Sequence, residues 1–313
     1  MGKRLEGRVA VVTGAGRGIG RAIAELMASE GAAVVVNDVG AAVDGTGAAA
    51  SVAEEVVQAI RAAGGTAVAN ADSVAAFDGA ERIVETAVRE FGAIDILVNN
   101  AGILRDRMLF NMSEEEWDAV IAVHLKGTFD CTRHASARMR ERKRGRIVSM
   151  SSTSGVYGNT GQANYGAAKD GIAGFTRVIA RDLGRYGITA NAVCPAAATR
   201  MTQSVTDAAR AARAKSGAQS PAGQAPRAFQ LSHTGPDNVA PWVAWLATDA
   251  AAHVNGRVFM VMGGLIALLD DPAPVRTIQK DGRWTPEEIA TVFSRTLGLD
   301  LVNPAPPKEP AGG

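Results

Sequence analysis

Residues 8–20 read RVAVVTGAGRGIG, a short β-branched apolar run that breaks into four glycines and then into a helix-forming stretch. Gly14, Gly18 and Gly20 fit the spacing GxxxGxG rather than GxGxxG, but the physics is shared. Glycines permit a tight turn and close backbone approach, and the unpaired N–H groups of a helix N-terminus face whatever anion lies over the turn. Strand, glycine turn and helix in that order predict a phosphate-binding loop built from Gly14, Arg17, Gly18, Ile19 and Gly20.

Outward from this loop the chain alternates short β-branched runs with longer Ala-rich amphipathic segments. AVVVND is followed by a helix to about Ala63, then TAVANAD, AERIVETAVREFG, DILVNNAG, a helical stretch over 114–143, GRIVSMSS, a helix carrying YGAAK, ITANAVCP and finally GRVFMV. Strands apolar on both faces and separated by helices specify a parallel sheet covered on both sides. Right-handed crossovers make it a doubly wound α/β sheet with ligands at the C-terminal strand ends.

Asp38 ends the second strand, 18 residues past Gly20. A carboxylate there accepts from ribose hydroxyls and repels a 2′-phosphate, which favours NAD over NADP; the Arg17 guanidinium pulls the other way and is outweighed. Asp72 and Ser73 follow the third strand, where Asp72 is either an adenine contact or a plain turn aspartate.

Tyr165 and Lys169 stand at i and i+4 in a helical stretch and so share one face. Ser152 ends the fifth strand, 13 residues earlier, and the intervening loop can bring its hydroxyl to the same point. A phenol there can donate or take the proton that accompanies hydride transfer. A free phenol ionises near ~10, and Lys169 is expected to lower that value by its positive charge. Ser152 would bond the substrate oxygen as charge develops on it.

TGAGRGIG, NNAG at 99–102, Ser152 and Y165xxxK169 together resemble the short-chain dehydrogenase/reductase family over roughly residues 5–265. The resemblance implies a Rossmann-like seven-stranded sheet, a nicotinamide cofactor, Ser–Tyr–Lys catalysis and a homodimer or homotetramer. It adds Asn100, Ala101, Gly102, Pro195 and Thr199 to the cofactor residues, alongside Tyr165 and Lys169. VVVNDVG, NNAGILRDR, VHLKGTF and GQANYGAAK are similar to the (3R)-hydroxyacyl-CoA dehydrogenase parts of peroxisomal multifunctional enzymes of type 2, which implies an acyl-CoA substrate. His124 stands where many family members carry an asparagine that supports a proton-relaying water; it either joins the relay or packs. Pro195-Ala196 replaces the family's usual Pro-Gly.

The bulk properties bound the remaining readings. With 313 residues, one domain over 1–270 is expected, bearing a lid insertion at about 202–236, and 271–313 should be an extension with a helix at WTPEEIATVF and a disordered Pro-rich tail. Net charge +1, 47% hydrophobic and 21% charged residues give no electrostatic footprint for nucleic acid or an anionic membrane. No apolar stretch approaches the ~18 residues of a membrane span, and the first residues show no leader pattern. The chain is therefore expected to be cytoplasmic. Cys131 and Cys194 fit no CxxC spacing and the four histidines are scattered, so no metal site is expected. RMRERKRGR at 138–146 reads as a solvated helix C-terminus, and Trp242 and Trp245 as core.

Overall fold

A computed structural model describes residues 3–49, 51–197 and 235–305. The sheet opens with β1 (Val9–Thr13), β2 (Ala33–Asn37), β3 (Thr66–Asn70) and β4 (Ile96–Asn99), and continues with β5 (Gly145–Met150), β6 (Ile188–Ala196), β7 (Val258–Met262) and β8 (Leu265–Leu268). Their spatial order is β3-β2-β1-β4-β5-β6-β7-β8. Order reverses between β1 and β4, which opens a crevice at their C-terminal ends.

Alternate residues of each strand feed opposite cores. Ala10, Val12, Val34, Val36, Ile96 and Val98 meet α1 (Gly18–Ser29) and α2 (Ser51–Ala62) on one face. Val9, Val11, Val35 and Leu97 meet α3 (Phe77–Phe91) and the helix ending at Arg142 on the other. This two-sided burial is why the strands read as continuous apolar runs rather than as alternating ones.

Two expectations are corrected and one is refined here. The sheet has eight strands, because Gly263-Gly264 turns the chain back and pairs β8 antiparallel to β7, with Met262 opposite Leu265. The helical stretch over 114–143 is not uniform: α4 (Glu114–Ile121) passes through a π-helical segment at Ala122–Lys126 into α5 (Gly127–Arg142). The basic run 138–146 is only partly solvated. Arg144 pairs with the buried Asp95 at 2.6 Å, and Arg146 enters β5, buried beside Asp249 at 3.2 Å.

After β5 come α6 (Thr153–Val156) and α7 (Ala163–Gly184), whose buried stripe runs through Asn164, Ala168, Lys169, Ile172, Ala173, Thr176 and Ile179. A lysine in that stripe is the local anomaly. α8 (Ala240–Leu246) packs on the first core, where Trp242 and Trp245 stack at 4.8 Å and Trp242 meets Phe259 edge-on. Both are partly buried and pack against the core, in keeping with the sequence reading. Beyond the sheet, α9 (Pro286–Phe293) starts with Pro286, and Thr285 and Glu288 cap each other's backbone reciprocally, as TPEE predicts. The lid expectation at 202–236 falls outside the described residues except at Gly235 and Pro236, and the expected disordered tail is described only to residue 305.

Candidate active site

A cavity of about 570 Å³ lies at the C-terminal ends of β1, β2, β4 and β5. Gly14, Arg17, Gly18, Ile19, Gly20, Asp38, Asp72, Ser73, Asn100, Ala101, Gly102, Tyr165, Lys169 and Pro195 all line it, as does His124. Thr199 lies outside the described residues.

The glycine turn is shaped by close approach. Gly14 has φ +63°, and a Cβ there would sit 2.7 Å from the Ala101 Cα. A Cβ on Gly20 would sit 2.3 Å from the Gly14 carbonyl oxygen. The Asn100 side chain donates to the carbonyls of Thr13 at 2.9 Å and Gly14 at 3.0 Å, while Thr13 Oγ1 accepts from the Asn100 and Ala101 amides. The NNAG segment thereby holds the turn in its tight shape. Asp38 is half-buried at the mouth, accepting from the Gly16 amide at 2.9 Å and the Gly40 amide at 2.7 Å. Asp72 is bound by Arg82 at 2.6 Å and by Asn70, the bonds of a turn aspartate, while its edge still faces the cavity.

One wall escaped the sequence reading. Residues 39–49 form a strap over the Asp38 end of the cavity, with Ala41, Ala42, Val43 and Gly45 on it. Asp44 Oδ1 accepts from the Thr46 amide and hydroxyl, which curls the strap. The Leu104 amide then donates to Val43 O at 2.9 Å and Arg105 Nε to Asp44 O at 3.0 Å. The local signal was DGT inside a long Gly/Ala-rich connection, a turn signature whose partner is distant in sequence.

At the other end of the cavity, Ser152 N-caps α6 by accepting from the Ser154 amide, and its hydroxyl bonds Tyr165. Lys169, 4% exposed, donates from Nζ to Met150 O and stands 5.6 Å from the centre of the Tyr165 ring. His124, in the π-helical segment, meets that ring edge-on at 5.2 Å. Its Nε2 lies 2.8 Å from Ile103 O and 3.1 Å from the Ile103 amide, and Nδ1 has no hydrogen-bond partner among the described residues. Burial, then the Lys169 charge, push His124 well below its ordinary pKa, so the imidazole is neutral.

The expected lowering of the Tyr165 pKa by Lys169 is corrected. Burial dominates and pushes the phenol up to about 12, with the Ser152 hydrogen bond opposing it and the Asp106 charge adding to the rise. Burial also brings Lys169 itself down to about 7, so its charge is only half present at neutrality. This has a thermodynamic consequence. The unfolded lysine holds its proton to about 10.5 and the folded one only to about 7, so the unfolded state binds more protons between those values. Stability therefore rises with pH across that window and carries the full penalty below it. Melting temperatures of the ligand-free protein are expected to climb from pH 7 to 9.5 and to climb less in Lys169→Met; equal slopes would refute the buried-charge assignment.

The description of the family whose model matches residues 8–210 is short chain dehydrogenase. The chain belongs to this family. It is 46% identical over 306 residues to the hydroxyacyl-CoA dehydrogenase ChsB1 of Mycobacterium tuberculosis, covering 95% of this chain and 90% of that one. It is 43% identical over 266 residues to the peroxisomal multifunctional enzyme type 2 of Mus musculus, covering 85% of this chain but 33% of the mouse protein. A crystal structure of a short chain dehydrogenase from Mycobacterium avium superposes with a TM-score of 0.79 at 44% identity, over 99% of both chains.

This short-chain dehydrogenase is thus an oxidoreductase of a family that uses a nicotinamide dinucleotide. The cavity fits that group: Gly14, Gly18 and Gly20 line it, and a turn this tight, in which a Cβ on Gly14 or Gly20 would strike Ala101 or the Gly14 carbonyl, leaves only backbone where a pyrophosphate would approach. Among the described residues of the short-chain dehydrogenase, no three His, Cys, Asp or Glu side chains gather as metal ligands, and no helix is long and apolar enough to cross a membrane. Its two cysteines are buried free thiols.

Proposed function

We propose that the protein oxidises (3R)-hydroxyacyl-CoA to 3-oxoacyl-CoA with NAD. The observation that carries the substrate class is the 46% identity, over 95% of the chain, to a hydroxyacyl-CoA dehydrogenase. Bound NAD would accept the hydride from the carbinol carbon. Tyr165 takes the hydroxyl proton, and Ser152 donates a hydrogen bond to the substrate oxygen. Lys169 holds a proton near Tyr165 that eases formation of the phenolate, and neutral His124 packs edge-on against the Tyr165 ring and orients it. Gly14, Gly18 and Gly20 receive the pyrophosphate, and Asp38 the adenosine ribose. Phe129 and Val178, 44% and 56% exposed on α5 and α7, support a homodimer or homotetramer. We read the enzyme as cytoplasmic, with residues 1–270 as the catalytic unit.

Reduced-dinucleotide formation with (3R)- and (3S)-hydroxyacyl-CoAs, each with NAD and NADP, tests the reading. Turnover of the (3R) form with NAD alone is expected; activity only with other alcohols would refute the acyl-CoA assignment. Asp38 makes the cofactor choice checkable. Like-charge contact with a 2′-phosphate costs several kcal/mol, so Asp38→Ser is expected to move the NAD/NADP ratio of kcat/KM toward NADP by on the order of a hundredfold. An unmoved ratio would place discrimination elsewhere.

A further inference from the structure

Asn164 is fully buried at the second position of α7, next to Tyr165, and its whole amide is engaged. Nδ2 donates to two backbone carbonyls from different parts of the chain, Arg105 O on the segment after β4 and Glu116 O in α4, each at 3.0 Å. Oδ1 accepts from the Tyr165 amide at 2.7 Å. The orientation is unambiguous, since a turned amide would set its oxygen against both carbonyls.

The first amides of a helix have no partner within it. In α7 the usual remedy is missing, because the N-cap residue Gln162 makes no capping bond from its side chain. Asn164 supplies the acceptor from inside the first turn instead, and the amide it takes is that of Tyr165. The same side chain ties this turn to α4 and to the segment after β4, which a second bond, from the Arg107 amide to Gly161 O at 2.8 Å, holds against the approach to α7. The Tyr165 ring packs on the cluster of Ile103, Val120 and Ala168, drawn from those same two segments and from α7 itself. Asn164 does not line the cavity. Its bonds reach the site only through the placement of its neighbour.

We propose that Asn164 is a positioning residue for the acid/base step: by joining the first turn of α7 to the Arg105 and Glu116 carbonyls, it sets where the Tyr165 phenol meets the Ser152 hydroxyl and the substrate oxygen. This rests on Tyr165 being the acid/base of the proposed reaction. A phenol out of place by about 1 Å is enough to cost on the order of a hundredfold in rate.

Asn164→Leu keeps the approximate shape of the side chain and removes all three bonds. With NAD and a (3R)-hydroxyacyl-CoA, its kcat is expected to fall roughly 10- to 100-fold, with KM and the calorimetric Kd for NAD within about threefold of the parent. In a Tyr165→Phe background the same substitution is expected to change the residual rate by less than about twofold, because a residue acting through the phenol has nothing left to place. An equal fold loss in both backgrounds overturns the proposal, and so does an unchanged kcat. A third reading needs no substrate. His124 meets the Tyr165 ring edge-on at 5.2 Å, so its ring protons feel the tyrosine ring current, and the chain has four histidines to resolve by NMR with labelled histidine. The His124 signal, identified by its loss in His124→Gln, is expected to shift in Asn164→Leu; an unmoved signal overturns the proposal. If Asn164→Leu fails to fold, Asn164→Ala loses the same bonds without added bulk and carries the same three measurements. Failure of the acyl-CoA assignment would show as silence of the parent enzyme on that substrate, with the NMR shift still deciding whether Asn164 places the ring.

Discussion

Tyr165→Phe is expected to lower kcat for (3R)-hydroxyacyl-CoA oxidation by about 10³-fold, within the ~10²–10⁴ that a positioned proton donor or acceptor contributes. Phenylalanine removes one oxygen and leaves the ring, so the edge-on contact with His124 at 5.2 Å and the packing around it survive. Dinucleotide affinity, measured by calorimetry, should stay within a few-fold of the parent, because the glycine turn and Asp38 are untouched. Loss of turnover with binding kept is the signature of an interaction made at the reacting atoms rather than in the ground state. Retained turnover would remove Tyr165 from the acid/base role.

The opposite split is expected at Gly20. Alanine there places a methyl carbon 2.3 Å from the Gly14 carbonyl oxygen and 2.5 Å from Asn100 Nδ2, and the first of these is backbone that cannot swing aside. The turn must open, breaking the Asn100 bonds to Thr13 and Gly14 that hold it. Overpacking of this kind costs about 1–3 kcal/mol in stability. The larger loss is in dinucleotide affinity, on the order of a hundredfold or more, since one lost or strained charge-assisted contact at a phosphate is worth roughly 1.5–3 kcal/mol. A melting temperature and a Kd together check this; a normal Kd would mean that the pyrophosphate does not rest on this turn.

What the sequence disclosed and what it withheld divide along a physical line. The glycine turn, the strands apolar on both faces, the α9 cap and the Tyr165–Lys169 pair are local patterns, fixed by backbone sterics and helix periodicity within a few residues. They stand in the structure where the pattern puts them. The strand β8 was also local, since two glycines between apolar runs are a hairpin signature, but the strand reading ended at GRVFMV, before those glycines. Two features were not legible because their partners are remote: the π-helical segment that sets His124 and the strap of residues 39–49. The sign of the Tyr165 shift was missed for the same reason. Burial is a property of the packed site, and it raises the phenol and lowers the lysine together.

The strap and the helix that carries Tyr165 hang from the same short peptide. Leu104 and Arg105 donate to the strap at Val43 and Asp44, and the Arg105 carbonyl is gripped by Asn164, the neighbour of Tyr165. In mechanical terms this peptide is a shared pin. Anything that draws the strap away from the Asp38 end of the cavity pulls on the backbone that orients the Tyr165 ring, so the attitude of the phenol is yoked to the far end of the cavity.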